Sequence, residues 1–63
     1  MNDLQAQIRA KSTQASQLSQ EATEAFRAKN FTTGKQLMAQ AVVASIDCQR
    51  LIQEYKEQEA KVN

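Results

Sequence analysis

Lys29-Asn30-Phe31-Thr32-Thr33-Gly34 is the stretch whose reading decides the fold. It is the one interruption in a chain otherwise rich in helix-favouring Ala, Gln, Glu, Lys and Leu, with no proline and with Gly34 as its single glycine. Asn tolerates a left-handed backbone just past a helix end, and its side-chain oxygen also suits the start of a helix. Asn30 can therefore close one helix and open the next, with Thr32 as the competing N-cap. The expected fold is all-α: a two-helix antiparallel hairpin with helices at about 2–29 and about 32–60 and a turn at about 30–33, boundaries carrying the usual error of a few residues.

On the N-terminal side, Asp3 or Asn2 is a suitable N-cap. Leu4, Ile8, Ala15, Leu18, Ala22 and Ala25 follow in three- and four-residue steps that place them on one stripe of a helix. Lys11 interrupts that stripe, and Ser12, Thr13, Ser16 and Ser19 are mediocre helix formers. This half is expected to be the weaker one. Phe26 is expected to meet Phe31 or Leu37 near the turn.

On the C-terminal side, the stripe reads Gly34, Met38, Ala41, Ser45, Cys48, Ile52, Tyr55 and Val62. A second apolar row runs through Leu37, Ala44 and Leu51, and a third includes Val42 and Ile46. From Ala41 to Ile46 the helix is apolar nearly all round, whereas one facing helix covers a stripe only about 100° wide. The second helix thus carries more apolar surface than the first can bury. Gly34, costly inside a helix, predicts a close approach of the two backbones opposite Ala22 or Ala25. The residues from Lys56 to Asn63 are expected to fray.

Length and composition narrow the function. The 63 residues make a single domain, 1–63, with a small core of the kind that usually needs a disulfide, a metal or a partner. Cys48 is the only cysteine and there is no histidine, so neither an internal disulfide nor a recognisable metal site is expected. A second copy or a partner chain remains as the expected supplement. The net charge of +1 lacks the basic excess of a nucleic-acid binder. No apolar run approaches membrane-spanning length, and Met1-Asn2-Asp3-Leu4 does not read as a secretory leader, so the expectation is a soluble cytoplasmic protein.

Catalysis is not expected. The chain offers no phosphate-binding glycine loop and no nucleophile with a base at helical spacing, and it is read as non-enzymatic and without a cofactor. Cys48 reads as a small buried hydrophobe, or as a thiol for an intermolecular disulfide if it faces the surplus row. Tyr55 reads either as a partner contact or as the residue closing the open end of the hairpin. Arg27, Lys29 and Lys35 near the turn read as an anion site or as solvated charge. The residues singled out for partner binding are Val42, Val43, Ile46, Leu51 and Tyr55.

Leu18, Ala22, Phe31, Gly34, Met38 and Ala41 resemble part of a tetratricopeptide-type helical hairpin, over about half the chain and without a second copy of the repeat. Ala22 and Gly34 match its small crossing positions, Phe31 its turn aromatic and Ala41 the small residue late in its second helix. In length, and in the placing of Phe31 and Tyr55, the chain also resembles the small co-chaperones of type III secretion needle subunits. That likeness implies a tetratricopeptide-like chaperone as partner. In length and hairpin form alone it is similar to plasmid copy-number proteins that dimerise into four-helix bundles and bind RNA. The expectation is a non-enzymatic interaction module of adaptor or co-chaperone type, binding a helical partner through the second helix. The alternative is a homodimeric four-helix bundle with a structural or RNA-binding role.

Overall fold

In the computed structural model, which describes residues 3–62 and the side chains of 3–60, two helices, α1 (Asp3–Arg27) and α2 (Phe31–Val62), fold back on each other. The structure is the all-α antiparallel hairpin read from the sequence. Asn2 and the side chain of Val62 lie outside the described residues. The Cα trace measures 51 × 16 × 11 Å with a radius of gyration of 14.9 Å, against about 11 Å for a compact chain of this length.

The reversal takes only Ala28, Lys29 and Asn30. The Asn30 N–H donates to the Ala25 carbonyl at 2.8 Å and the Lys29 N–H to the Phe26 carbonyl at 3.0 Å. These are the paired bonds of a Schellman ending, which satisfy carbonyls that a helix end would otherwise leave open. The left-handed residue is Lys29, with φ 65°, and not Asn30. Asn30 instead provides the N-cap of α2: its carbonyl accepts the Gly34 N–H at 3.0 Å. Thr32 lies inside α2. So short a turn leaves Asn30 no freedom to be left-handed, because the residue that starts a helix must be extended.

α1 begins with Asp3 in its first turn and ends with Arg27 in its last, each matched in sign to that end of the helix dipole. Among its poorer helix formers, Thr23 turns its hydroxyl back to the Ser19 carbonyl at 3.0 Å. Leu4, Ile8, Lys11, Ala15, Leu18, Ala22 and Ala25 are buried or half-buried at alternating steps of four and three, and Phe26 is half-buried beside them. Lys11, the break in the apolar stripe, keeps its place by reaching Asp47 of α2 at 3.6 Å.

The face that α2 turns to α1 differs from the predicted stripe. Gly34, Leu37, Ala41, Ala44, Cys48, Leu51 and Tyr55 are buried or half-buried, while Met38, Ser45 and Ile52 are exposed. The two sets share Gly34, Ala41, Cys48 and Tyr55. They differ in whether the helix rotates toward Leu37, Ala44 and Leu51 or toward Met38, Ser45 and Ile52. Rotation toward the former buries two leucines and no hydroxyl, which is the more favourable transfer.

Cross-helix contacts fix the register: Gln5 with Tyr55, Lys11 with Asp47, and Phe26 with Phe31. This register puts Leu18 level with Ala41 and Ala22 level with Leu37, a large residue against a small one. The fully enclosed hydrophobic positions among the described residues are Ala22, Ala41 and Ala44, and no side chain bulkier than alanine is completely buried. The core is therefore thin.

Gly34 is buried and, in this register, falls level with Ala25, one of the two positions expected opposite it. A Cβ built there would lie 2.7–2.9 Å from Cε1, Cδ1 and Cζ of Phe26. The missing side chain makes room for that ring. Phe26 also meets Phe31 as expected, with ring centroids 6.3 Å apart and planes tilted by 38°.

Candidate interaction surface

With the seam assigned, the apolar residues left over can be located. Among the described residues, Phe31, Met38, Val42, Val43, Ile46 and Ile52 are the large hydrophobic ones that remain exposed, and all six belong to α2. Val42, Val43 and Ile46 are each half or more accessible, at 52%, 58% and 50%. They come from the run that is apolar all round, and α1 reaches only one side of it. The structure thus brings together three of the five residues singled out for partner binding.

The other two lie elsewhere. Leu51 is half-buried in the seam. Tyr55 is half-buried at the open end of the hairpin, where its hydroxyl accepts a hydrogen bond from Gln5 Nε2 at 2.7 Å. It closes the hairpin, the second of its two sequence readings. Cys48 also faces α1: its Sγ lies 3.7 Å from the Ile8 carbonyl, a weak thiol donation across the seam. It does not face the outer rows from which an intermolecular disulfide would form.

Sequence reasoning missed Phe31, Met38 and Ile52 as members of the exposed set. Sequence pattern alone places Phe31 at the turn, and Met38 and Ile52 on the seam. The signal that could have found them is their spacing. Phe31, Met38, Ser45 and Ile52 recur every seven residues, with Lys35, Val42 and Gln49 between them. Six members of this row, from Lys35 onward, each follow a seam residue by one position. The row therefore lies about 100° round α2 from the seam. α2 has two faces of coiled-coil spacing, and α1 occupies one.

α1 has no second face of this kind. Gln7, Gln14, Gln17 and Glu21 flank its seam on one side and Arg9, Ser12, Ser16 and Ser19 on the other, and all are exposed. Between the helices, Lys11, Gln14, Leu18, Gln40, Val43 and Asp47 border a shallow open groove, with polar and apolar residues on both walls. Arg27, Lys29 and Lys35 stand exposed around the turn. Among the described residues no group of three or more His, Cys, Asp or Glu side chains is placed to hold a metal ion. Among the same residues no helix is long and apolar enough to cross a membrane.

Comparison of the chain with protein-family models, with characterised proteins and with solved structures finds no match. The surface is therefore read from its own chemistry.

Proposed function

We propose that this protein is a small non-catalytic interaction module that presents the outer face of α2 to another helix. One observation carries the reading: every large exposed hydrophobic residue among those described lies on α2, centred on Val42, Val43 and Ile46, above a core of three alanines. Soluble monomers rarely leave contiguous apolar patches beyond a few hundred Å² uncovered. A hairpin this small gains little from its own interior. The same covering helix would hide the patch and supply the missing burial.

The chemistry favours a helical occupant. Phe31, Met38, Val42 and Ile52 fall in a row of three- and four-residue steps shared with Lys35, Ser45 and Gln49, with Val43 and Ile46 beside it, a spacing that another helix can interdigitate with. An adaptor or co-chaperone role suits such a module, and the likeness in length and in Phe31 and Tyr55 to the needle-subunit co-chaperones of type III secretion offers one setting for it.

Sedimentation of the wild-type chain beside Ile46→Asp and Val43→Asp, alone and with the proteins that co-purify from its native cell, tests the reading. Each aspartate would bury an unpaired carboxylate under the covering helix, so both variants should lose the associated species while keeping the hairpin's helical signal. A wild type that stays monomeric and recruits nothing, with both variants equally stable, would remove the reading.

A further inference from the structure

The two broad sides of the hairpin differ in charge. The groove bordered by Gln14, Gln40 and Asp47 marks one side. The meeting of Phe26 with Phe31, and the row Phe31, Met38, Val42 and Ile52, mark the other. Counted round each helix from its seam, Asp3, Glu21, Glu24, Asp47, Glu54 and Glu57 all fall on the groove side, together with Arg50. They are six of the chain's seven carboxylates. The side with the apolar row carries Arg9, Lys35 and Lys56 instead, all exposed. It reaches a carboxylate only at Glu59, past the level of the Gln5–Tyr55 bond. We propose that the outer row of α2 takes an acidic amphipathic helix of another protein, with its apolar seam on Phe31, Met38, Val42 and Ile52 and its carboxylates toward Arg9, Lys35 and Lys56. The proposal rests on the interaction face identified above and adds the chemistry of its occupant.

Charge complementarity decides the occupant. No carboxylate lies within four residues of Arg9 or Lys35, so no neighbour in its own helix neutralises either one. Lys35 and Lys56 stand in the row itself, three heptads or about 31 Å apart along α2. An anionic flank on the occupant meets these cations here and is repelled by the carboxylates of the opposite side, so charge selects the side of the hairpin as well as the partner. The apolar row supplies most of the affinity. A second copy laid on this face through its own row would set one cationic row against another. The seven-residue spacing of the row points to a helix, which can read it, over a bilayer, which does not. On α1 the same side holds Ser12, Ser16 and Ser19, small residues that leave room for a helix lying beside α2.

Two synthetic helices of about 28 residues test it, identical in a seven-residue leucine repeat and differing only in glutamate or lysine on the flanks. Vesicles of phosphatidylglycerol and phosphatidylcholine are the third probe. The glutamate helix should bind the full chain roughly tenfold or more tighter than the lysine helix at low salt. Lys35→Glu with Lys56→Glu should reverse that preference while the helical signal of the hairpin is kept. Glu21→Lys with Glu54→Lys, on the opposite side, should leave it unchanged, and Met38→Asp should abolish binding of both helices. Equal binding of the two helices, or a preference that the Lys35 and Lys56 reversals do not move, overturns the proposal. Retention on the vesicles with no binding of either helix overturns it in favour of an anionic lipid surface. If neither helix binds, yet Val43→Asp and Ile46→Asp still strip the wild type of a co-purifying protein, the acidic occupant is overturned and the interaction face stands. A chain that binds none of the probes and recruits nothing overturns both.

Discussion

Lys29 and Gly34 show how single positions hold the reversal together. Lys29 takes the left-handed conformation at the position past a helix end where glycine is usual, with φ 65°. A side chain there costs about 1 kcal/mol or more. Lys29→Gly should therefore stabilise the hairpin by roughly 0.5–1 kcal/mol after the extra chain entropy of glycine is subtracted, read as a rise in melting temperature of several degrees. A fall would mean that the Lys29 side chain contributes a contact worth more than the strain. At Gly34 two effects compete. Alanine gains about 1 kcal/mol of helix propensity but meets the Phe26 ring at 2.7 Å. Overpacking costs about 1–3 kcal/mol, so Gly34→Ala should be a net loss of about 1 kcal/mol. With Phe26→Ala also present, the same change should become a gain of about 1 kcal/mol. Denaturant melts of the double-mutant cycle, on a Lys29→Gly background, decide it. Simple additivity would show that the ring is not what keeps position 34 small.

At the scale of the elements, α1 and α2 have unequal roles. α1 has one apolar face and spends it on the seam. α2 runs for 32 residues against 25, and its exposed residues 56–60 continue past the level of the Gln5–Tyr55 bond. The ion pair between Lys11 and Asp47 has both side chains about a third exposed, so it counts for tenths of a kcal/mol and serves mainly to seat Lys11 in the stripe. The rotation of α2 is open to a direct test at adjacent positions. Ala44 is buried at 3% exposure and Ser45 faces outward. Ala44→Leu should destabilise by about 1–3 kcal/mol through overpacking. Ser45→Leu should leave stability unchanged or raise it by a few tenths of a kcal/mol through better helix propensity. Thermal melts of the two variants with the opposite ranking would restore the stripe first read from the sequence.

For the whole molecule, the deciding quantity is the balance between a thin core and a long uncovered face. Three buried alanines and a set of half-buried leucines give little reserve against the entropy of ordering two long helices. Association through the outer face adds burial that the hairpin alone lacks. Its melting temperature should therefore climb by several degrees as the glutamate-flanked helix is raised from about 5 to about 500 µM, because anything that binds only the folded form stabilises it by mass action. The contact is mainly apolar, so raising salt from about 50 to about 500 mM should change that behaviour little. Calorimetry across both series reads the two effects separately. A melting temperature independent of concentration would show that the hairpin holds itself together.

Helix, turn and seam were each legible to a different degree. The two helices and their antiparallel arrangement followed from the sequence, because long runs of good helix formers broken once, at residues 29–34, admit no other economical folding. The excess of apolar surface on α2 followed too, since Ala41 to Ile46 exceeds what one neighbour can cover. The rotation of α2 did not follow. Two heptad rows one residue apart overlap in Gly34, Ala41, Cys48 and Tyr55, and periodicity weights them equally. Only the packing of Leu37 and Leu51 against α1 chose between them. The same choice sent Leu51 and Tyr55 inward and left Phe31, Met38 and Ile52 outside. Which residue of the turn went left-handed was likewise settled by geometry, because a three-residue reversal requires Asn30 to be extended and so passes the strain to Lys29. Local propensity and pattern determine what a segment becomes. Which side of it faces inward depends on what stands opposite, and that exists only once the chain has folded.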